Sequence, residues 1–258
     1  MEEGCPRGGG KGVTSTLRTI VVLALAAGLW EVACVELGVR QYVLPKPSVI
    51  AGALWEYRSS LGTDSAFSVA EASCGFLIAC SLSFVIAVLL VYVPSFRASA
   101  LSAAVALKSV PIVILAPIFL VWFGYGLVGK LLLAAIVTFF PLLIALLQGM
   151  SATTKAERDL FRIYGASRWQ TITRLMTPRS VPFLMAGLRV TAPTAVLGSL
   201  IAETAGARRG LGITMMIASA NFNTSLLFAA AFLSASIGLL AFALVAAAER
   251  LATKYMEQ

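Results

Sequence analysis

The chain has 258 residues, of which 59% are hydrophobic and 12% charged, and its net charge is +8. Soluble domains carry about 25% charged residues, so this composition excludes an ordinary soluble domain. Histidine, the commonest metal ligand and general base, does not occur in the sequence. Uncharged stretches longer than the roughly 20 residues that cross a bilayer run from Glu71 to Arg97 and from Arg209 to Glu249. These features predict an all-α membrane protein.

The predicted elements begin with a glycine-rich tail over residues 1–16, which we expect to be disordered on the cytoplasmic side. A first membrane span follows over 17–37. The next segment, 45–60, mixes charged and apolar residues around two prolines, which favours a helix lying in the membrane interface. Long apolar runs then predict five more spans, at 66–93, 101–123, 130–150, 181–203 and 225–248. We therefore interpret 17–258 as one domain of six transmembrane helices.

The distribution of basic residues predicts which side of the membrane each loop faces. With six spans both termini lie on the same side. Lys and Arg are about twice as frequent on the side that holds the termini and the loop 151–180 as on the other side. By the positive-inside rule this side is the cytoplasm. The net positive charge is thus interpreted as a record of topology, and no nucleic-acid partner is predicted.

The loop 151–180 is the longest polar segment between two spans. Thr154 and Glu157 have the spacing of a capping box, which predicts a helix from about Lys155. Gly165 is expected to end this helix in a left-handed conformation, and Ser167 to cap a second short helix that ends at Pro178. Each helix carries a stripe of apolar residues, Ala156, Leu160, Phe161 and Tyr164 in the first and Trp169, Ile172 and Met176 in the second. Exposed apolar stripes imply a partner, although an ordinary solvated loop remains the alternative.

This loop resembles the cytoplasmic EAA loop of permease subunits of binding-protein-dependent ATP-binding-cassette (ABC) importers. Asp159, Leu160 and Phe161 occupy the Glu-Ala-Ala places, Gly165 the glycine, and Leu175 and Pro178 the closing positions. The triplet keeps the acid but replaces both alanines. Further segments are similar to the nitrate, sulfonate, taurine and bicarbonate branch of those permeases: 43-VLPKPSVI-50, 110-VPIVILAPIFLVWFGYG-126, 164-YGASRWQ-170, 178-PRSVPFLMAGLRV-190 and 202-AETAGARRGLG-212.

The resemblance implies a type I ABC importer permease fold of six transmembrane helices, in which the loop between spans 4 and 5 is a cytoplasmic coupling helix–turn–helix. The residues that would couple to the ATPase are Glu157, Asp159, Leu160, Phe161, Tyr164, Gly165, Ala166, Ser167 and Pro178. The implied partners are two cytoplasmic ATPase subunits, a second copy of the chain, an extracytoplasmic solute-binding protein and the lipid of a bacterial inner membrane. ATP and magnesium would bind to the ATPase subunits, so this chain is expected to be non-catalytic. The cargo would be a small anion.

Candidate residues for the translocation path come from charges and prolines within the spans, which are costly in hydrocarbon. They are Lys108, Pro111, Pro117, Arg189 and Glu203. For Lys108 and Arg189 the alternative is that their long side chains reach the nearby interface. Glu203 is expected with Arg208 and Arg209 at the outer mouth, as a gate, a contact for the binding protein or a plain charged loop. Glu71 is expected at the outer interface.

Two other function classes are considered. A standalone channel or secondary carrier usually has acids at mid-membrane or two repeated halves, and neither is evident in this sequence. A membrane enzyme would need catalytic side chains, yet the sequence shows no nucleophile motif and no paired carboxylates in a span. The stretch 8-GGGKG-12 lacks the spacing of a phosphate-binding loop. No cofactor or metal site is therefore predicted in this chain.

Overall fold

A computed structural model describes residues 11–124 and 126–256, except for the side chains of residues 11–17, 19, 20, 108, 120 and 252–256. Across these residues the chain forms eleven α-helices and no strand. The helices are α1 (Lys11–Glu36), α2 (Pro47–Glu56), α3 (Arg58–Tyr92), α4 (Arg97–Lys108), α5 (Ile112–Phe123), α6 (Leu127–Ser151), α7 (Lys155–Ile163), α8 (Arg168–Thr171), α9 (Thr177–Thr204), α10 (Leu211–Ala220) and α11 (Thr224–Met256). The all-α prediction is confirmed for this part of the chain.

Helices α3, α6 and α9 form the centre of the molecule because small residues let their backbones approach closely. A Cβ atom added to Gly75 of α3 would lie 2.6 Å from the Cβ of Ala134 in α6. One added to Gly198 of α9 would lie 3.1 Å from the Cα of the same alanine. Towards the other end of α6, a Cβ on Gly149 would lie 2.8 Å from the Cα of Ser180 in α9. The three helices thus touch along much of their length.

Two apolar clusters pack at opposite ends of this centre. At one end, α3 and α6 enclose Ile172 and Met176, which follow α8 in the chain. At the other end, α2, α10 and α11 pack around Leu61 near the start of α3 and Leu211 at the start of α10. A third cluster joins α5 to α6 and α9. The packing therefore gives the molecule a loop end, where α7 and α8 lie, and an α10 end.

Four helical stretches are long and apolar enough to span a membrane: 58–92, 127–151, 168–204 and 224–251. They correspond to the predicted spans at 66–93, 130–150, 181–203 and 225–248. The predicted first span, 17–37, lies in α1, and the assignment of α1 as a span stays a prediction. Residues 1–10 of the predicted disordered tail lie outside the described residues, and residues 11–16 belong to α1.

The predicted third span, 101–123, is not one continuous helix. It consists of α4 and α5, which are bent by 91° relative to each other. Pro111 is the N-cap of α5, with an extended backbone (φ −61°, ψ 119°), and its ring disfavours a helical conformation for the residue before it. Each helix has 12 residues, which corresponds to about 18 Å, less than a bilayer core. The pair is one broken span or a re-entrant loop.

Two further boundaries differ from the sequence prediction. The predicted interfacial helix, 45–60, is shorter, because α2 ends at Glu56 and α3 begins at Arg58. At the polar start of α3 the hydroxyl groups donate to the helix's own carbonyls, as Ser65 does to Leu61 O at 2.6 Å. Helix α10, in a stretch that the sequence reading left without an element, has only 10 residues. It lies beside α9 and α11, and it positions one of the polar clusters described next.

Candidate functional site

The first helix of the loop, α7, begins with the predicted capping box. The hydroxyl oxygen of Thr154 accepts a hydrogen bond from Glu157 N at 3.2 Å, and the Glu157 carboxylate accepts one from Thr154 N at 2.7 Å. Arg158 donates to Thr153 O at 2.7 Å. The two capping-box bonds satisfy amides that would otherwise lack partners at a helix start, and the Arg158 bond satisfies the carbonyl of the preceding residue Thr153. The predicted start at Lys155 is confirmed.

Glu157 also connects α7 to α9, because its carboxylate forms an ion pair with Arg179. The backbone hydrogen bond from Thr154, followed by the bonds from Arg179 and the Thr154 hydroxyl, lowers the pKa of Glu157 below its usual value of 4.5. The residue is therefore ionised at neutral pH. It holds the N-terminus of α7 against the base of the long helix that follows.

The turn between α7 and α8 is a Schellman motif. Gly165 has φ +74°, its N–H bonds to Arg162 O at 3.0 Å, and Ala166 N bonds to Phe161 O at 2.9 Å. Ser167 then caps α8, because its hydroxyl oxygen accepts from Gln170 N at 3.2 Å and Gln170 Oε1 accepts from Ser167 N at 2.8 Å. The predicted glycine stop and serine cap are both present.

The prediction that a second short helix ends at Pro178 is wrong. Helix α8 continues through a π turn over Ile172–Met176 directly into α9, so that residues 168–204 form one unbroken stretch. In an α-helix the ring of Pro178 would meet the carbonyl of Arg174, four residues earlier. The wider π turn lies just before this proline and relieves that clash. The part of the loop from Arg168 onward is therefore joined to α9 by continuous helix.

Four apolar side chains of the loop are more than half exposed, and we call them the coupling surface. They are Leu160 (51%), Ile163 (81%), Tyr164 (81%) and Trp169 (57%). Phe161 and Asp159 are half-buried. Ile172 and Met176, predicted to share an exposed face with Trp169, are instead buried against α3 and α6. Ile163 is not part of the apolar stripe predicted from the sequence, although it lies three residues after Leu160 on the same side of the helix.

At the α10 end, three side chains hold the N-terminus of α10, and we call them the α10 anchor: Asp64, Ser68 and Glu203. Gly212 N donates to Glu203 Oε2 at 2.6 Å, and Leu211 N donates to the Ser68 hydroxyl at 2.9 Å. Asp64 accepts from Gly210 N at 3.4 Å and from the Thr214 hydroxyl at 2.7 Å. Carboxylates are favourable at the positive end of a helix dipole.

Glu203, predicted with Arg208 and Arg209 at the outer mouth, has a fully buried side chain, and its place at that mouth stays a prediction. Glycines at positions 210 and 212 let the loop close over it, since a Cβ on Gly210 would lie 2.5 Å from Glu203 Oε2. Glu71, expected at the interface, is also buried and pairs with Lys130. Within the described residues one oxygen of Glu71 and one of Glu203 have no hydrogen-bond partner. Glu203 is thus enclosed by the loop that carries Gly210 and Gly212, and its role in the path stays a prediction.

The other predicted path residues lie on different helices, α4, α5 and α9. The side chain of Lys108 lies outside the described residues. Pro111 and Pro117 lie at the start and in the middle of α5. Arg189 forms an ion pair with Glu249 of α11 at 3.2 Å and lies over the Phe242 ring at 5.2 Å. The described side chains include no group of three His, Cys, Asp or Glu residues that could hold a metal ion.

Comparison with known proteins adds a family and several relatives. A family model described as "binding-protein-dependent transport system inner membrane component" matches residues 79–254. The formylaminopyrimidine transport permease protein of Halalkalibacterium halodurans is 30% identical over 218 residues, covering 84% of this chain and 87% of that protein. The riboflavin transport system permease protein of Chloroflexus aurantiacus is 30% identical over 237 residues, covering 91% and 88%. A putative aliphatic sulfonates transport permease protein of Bacillus subtilis is 27% identical over 241 residues, covering 93% and 87%.

Proposed function

This chain belongs to the family of binding-protein-dependent transport system inner membrane components, and from that membership we propose that it is the permease subunit of an ATP-driven importer. Two copies of the chain form the translocation path. Two cytoplasmic ATPase subunits bind ATP and magnesium and hydrolyse the ATP. A solute-binding protein delivers the cargo from outside the cytoplasmic membrane. The chain's own part is to couple movement of the ATPase to movement of its spans.

One observation carries this proposal: the second helix of the loop continues without a break into α9, and the first, which carries most of the coupling surface, is tied to α9 by an ion pair. The capping box and the Schellman turn hold α7 in a defined shape, and the Glu157–Arg179 ion pair ties it to the base of α9. A partner that pulls on α7 therefore moves α9 as a lever, because the hydrogen-bonded turn and the ion pair hold α7 in a fixed position relative to α9. Elements with two discrete arrangements are what transmit such a change.

The far end of the lever is the α10 anchor. Glu203, at the end of α9, holds the N-terminus of α10 through Gly212 N. A displacement of α9 at the loop end is thus passed to the segment that lies at the opposite end of the molecule. We propose that this segment forms the outer side of the path and responds to the ATPase through α9.

The departure from the Glu-Ala-Ala pattern affects the two alanine positions in different ways. Leu160 is 51% exposed and belongs to the coupling surface, whereas Phe161 is half-buried and supplies the carbonyl that closes the Schellman turn. We infer that Leu160 enters the ATPase groove and that Phe161 packs on the side of α7 that faces away from the groove. A groove that accepts leucine in place of alanine must have room for about three more side-chain carbon atoms.

The names of three relatives give formylaminopyrimidine, riboflavin and aliphatic sulfonates as the transported solutes. A small anion such as a sulfonate is our proposal. Arg189 gives it little electrostatic support, because Glu249 already pairs with that guanidinium. Competition for uptake between an alkylsulfonate, nitrate, riboflavin and an aminopyrimidine, with the binding protein present, tests this proposal. Competition by the uncharged compounds alone would contradict it.

The coupling role is tested with two substitutions of equally exposed apolar residues. Ile163→Glu places a charge on the coupling surface, and Phe222→Glu places one on a residue that is also 81% exposed but lies beside α10. We expect Ile163→Glu to release the ATPase subunit during purification and to abolish ATP-driven uptake in proteoliposomes, and Phe222→Glu to retain the subunit. Gly165→Pro should behave as Ile163→Glu does, because proline cannot adopt φ +74° or donate to Arg162 O.

The same preparation discriminates between function classes. An importer permease moves solute only with the ATPase subunit and ATP present. If the purified chain alone moves solute down or against a gradient without ATP, the chain is a channel or a secondary carrier and the proposal fails.

A further inference from the structure

A cavity of about 780 Å³ lies between the loop and the end of α3. Four arginine side chains line it: Arg97, Arg158, Arg162 and Arg168. None of the lining residues is acidic. The volume falls within the range of pockets that hold small ligands, about 300–1,000 Å³. A concave site with four guanidinium groups and no carboxylate is built to attract an anion.

The four guanidinium groups keep their charge uncompensated. Arg97 donates to Leu147 O at 3.1 Å, Arg158 donates to Thr153 O, and Arg168 lies over the Tyr92 ring at 5.8 Å. These contacts orient the side chains but do not neutralise them. Among the ion pairs of the described residues none includes any of the four. Since like charges in one cavity repel one another, an anion that binds there gains attraction and relieves repulsion.

The remaining walls of the cavity are mostly apolar and are formed by Val91, Pro94, Ala166, Ile172 and Met176, with Thr171 as the one polar residue among them. They lie where the long apolar helix α3 ends, and next to them the side chains of Val93 and Phe96 are 42% and 67% exposed. A ligand in this place therefore meets cations on one side and an apolar surface on the other. That combination matches an amphiphile whose charged group lies at the membrane surface and whose chains lie along α3.

The cavity and the coupling surface use opposite faces of α7. Arg158 and Arg162 are four residues apart and share one face of the helix. Because successive residues of an α-helix are about 100° apart around its axis, Leu160, Ile163 and Tyr164 lie on the opposite side of α7 from these two arginines. An ATPase subunit seated on the coupling surface therefore leaves the arginine face directed towards the end of α3, where lipid headgroups lie.

We propose that this cavity binds the phosphate group of an anionic phospholipid. Arginine suits the role because its planar guanidinium binds phosphate oxygens in pairs, and basic pockets between membrane helices bind anionic headgroups. The bound phosphate bridges the end of α3 to α7 and α8. An anionic lipid thus stabilises the position of the loop from the side opposite the coupling surface. The fraction of anionic lipid in the leaflet then determines how much the loop is stabilised.

The test uses the full chain in nanodiscs or detergent with defined lipids, and lipid binding as its readout. Retention of phosphatidylglycerol is measured by native mass spectrometry, with phosphatidylcholine as the uncharged comparison. The test variant is Arg162→Gln with Arg168→Gln. Arg158 and Arg97 are left in place because their hydrogen bonds hold the loop and α6. The matched control is Lys155→Gln with Arg174→Gln, which also removes two exposed charges from the same loop but outside the cavity.

We expect the double variant to retain phosphatidylglycerol about 25-fold less well, since each basic residue near an anionic lipid contributes about fivefold. The double control should change retention by less than about fivefold, although general attraction would predict the same roughly 25-fold loss for any two charges, and phosphatidylcholine should be unaffected in all forms. Equal losses in the double variant and the control would overturn the proposal in favour of general attraction. Displacement of the lipid by millimolar inorganic phosphate alone would show a site for free phosphate rather than lipid.

A third outcome concerns a protein partner. If the double variant keeps phosphatidylglycerol but loses the ATPase subunit, the arginines hold acidic side chains of that subunit, and the lipid proposal is wrong. Unfolding temperatures and monodispersity of each variant show whether it folds. Because the lipid readout does not depend on transport, the proposal can fail while the importer function stands.

Discussion

Replacing Gly210 with alanine should destabilise the α10 end of the molecule by two separable effects. Gly210 has φ +127° and ψ 163°, a region in which residues with a side chain are strained. Its Cβ position would also lie 2.5 Å and 2.8 Å from the two carboxylate oxygens of Glu203. Alanine therefore has to change the backbone conformation, push the buried carboxylate away, or do both.

The size of the effect follows from these two losses. The backbone strain costs about 2 kcal/mol, and loss of the bond from Gly212 N to the Glu203 carboxylate costs about 2 kcal/mol. The sum of about 4 kcal/mol corresponds to a fall in Tm on the order of 10 °C for a domain of this length. Thermal unfolding of the purified protein in detergent, followed by a thiol-reactive dye or by circular dichroism, measures it.

A second glycine supplies the control. Gly62 lies inside α3, and a Cβ added there meets no atom within 4 Å. Gly62→Ala should therefore leave the Tm unchanged or raise it slightly, since alanine favours a helix interior by about 1 kcal/mol. If Gly210→Ala unfolds within about 2 °C of the unsubstituted chain, the loop does not close over Glu203 as described. The assignment of an α10 anchor would then be wrong.

Three further predictions concern α7, the contact between α6 and α9, and the ion pair between α9 and α11. Glu157 has a lowered pKa, so its contribution to the order of α7 should be complete above its unfolded value of about 4.5 and lost as the pH falls through the lower folded value. Hydrogen-exchange protection of α7 should show this loss in the unsubstituted chain but not in Glu157→Gln, and a loss shared by both would contradict it. Gly149→Ala should separate α6 from α9 near Ser180, at a cost of about 1–3 kcal/mol, and lower uptake per ATP hydrolysed; unchanged coupling would show that this contact is not part of the lever. Arg189→Gln should lower stability by about 1 kcal/mol or less, because its ion pair with Glu249 is partly exposed, and a large rise in the KM for solute would instead place Arg189 in the path.

The local features of the loop could be predicted because each depends on residues that are neighbours in the sequence. A capping box needs only Thr154 and Glu157 three positions apart, and a left-handed helix stop needs only Gly165. The long apolar stretches were equally readable, since the thickness of a bilayer sets their length. The all-helical architecture, the capped loop and the exposure of Leu160 and Tyr164 follow from such short-range rules.

Other features depend on contacts between distant residues and could not be derived in this way. Burial of Glu203 requires Ser68 and Gly210 beside it, and burial of Ile172 requires the faces of α3 and α6. The π turn before Pro178 and the 91° bend between α4 and α5 show that prolines interrupt one helix and not another. Local sequence states which conformations a residue tolerates, but the neighbours packed around it select among them, and those neighbours become known when the helices are assembled.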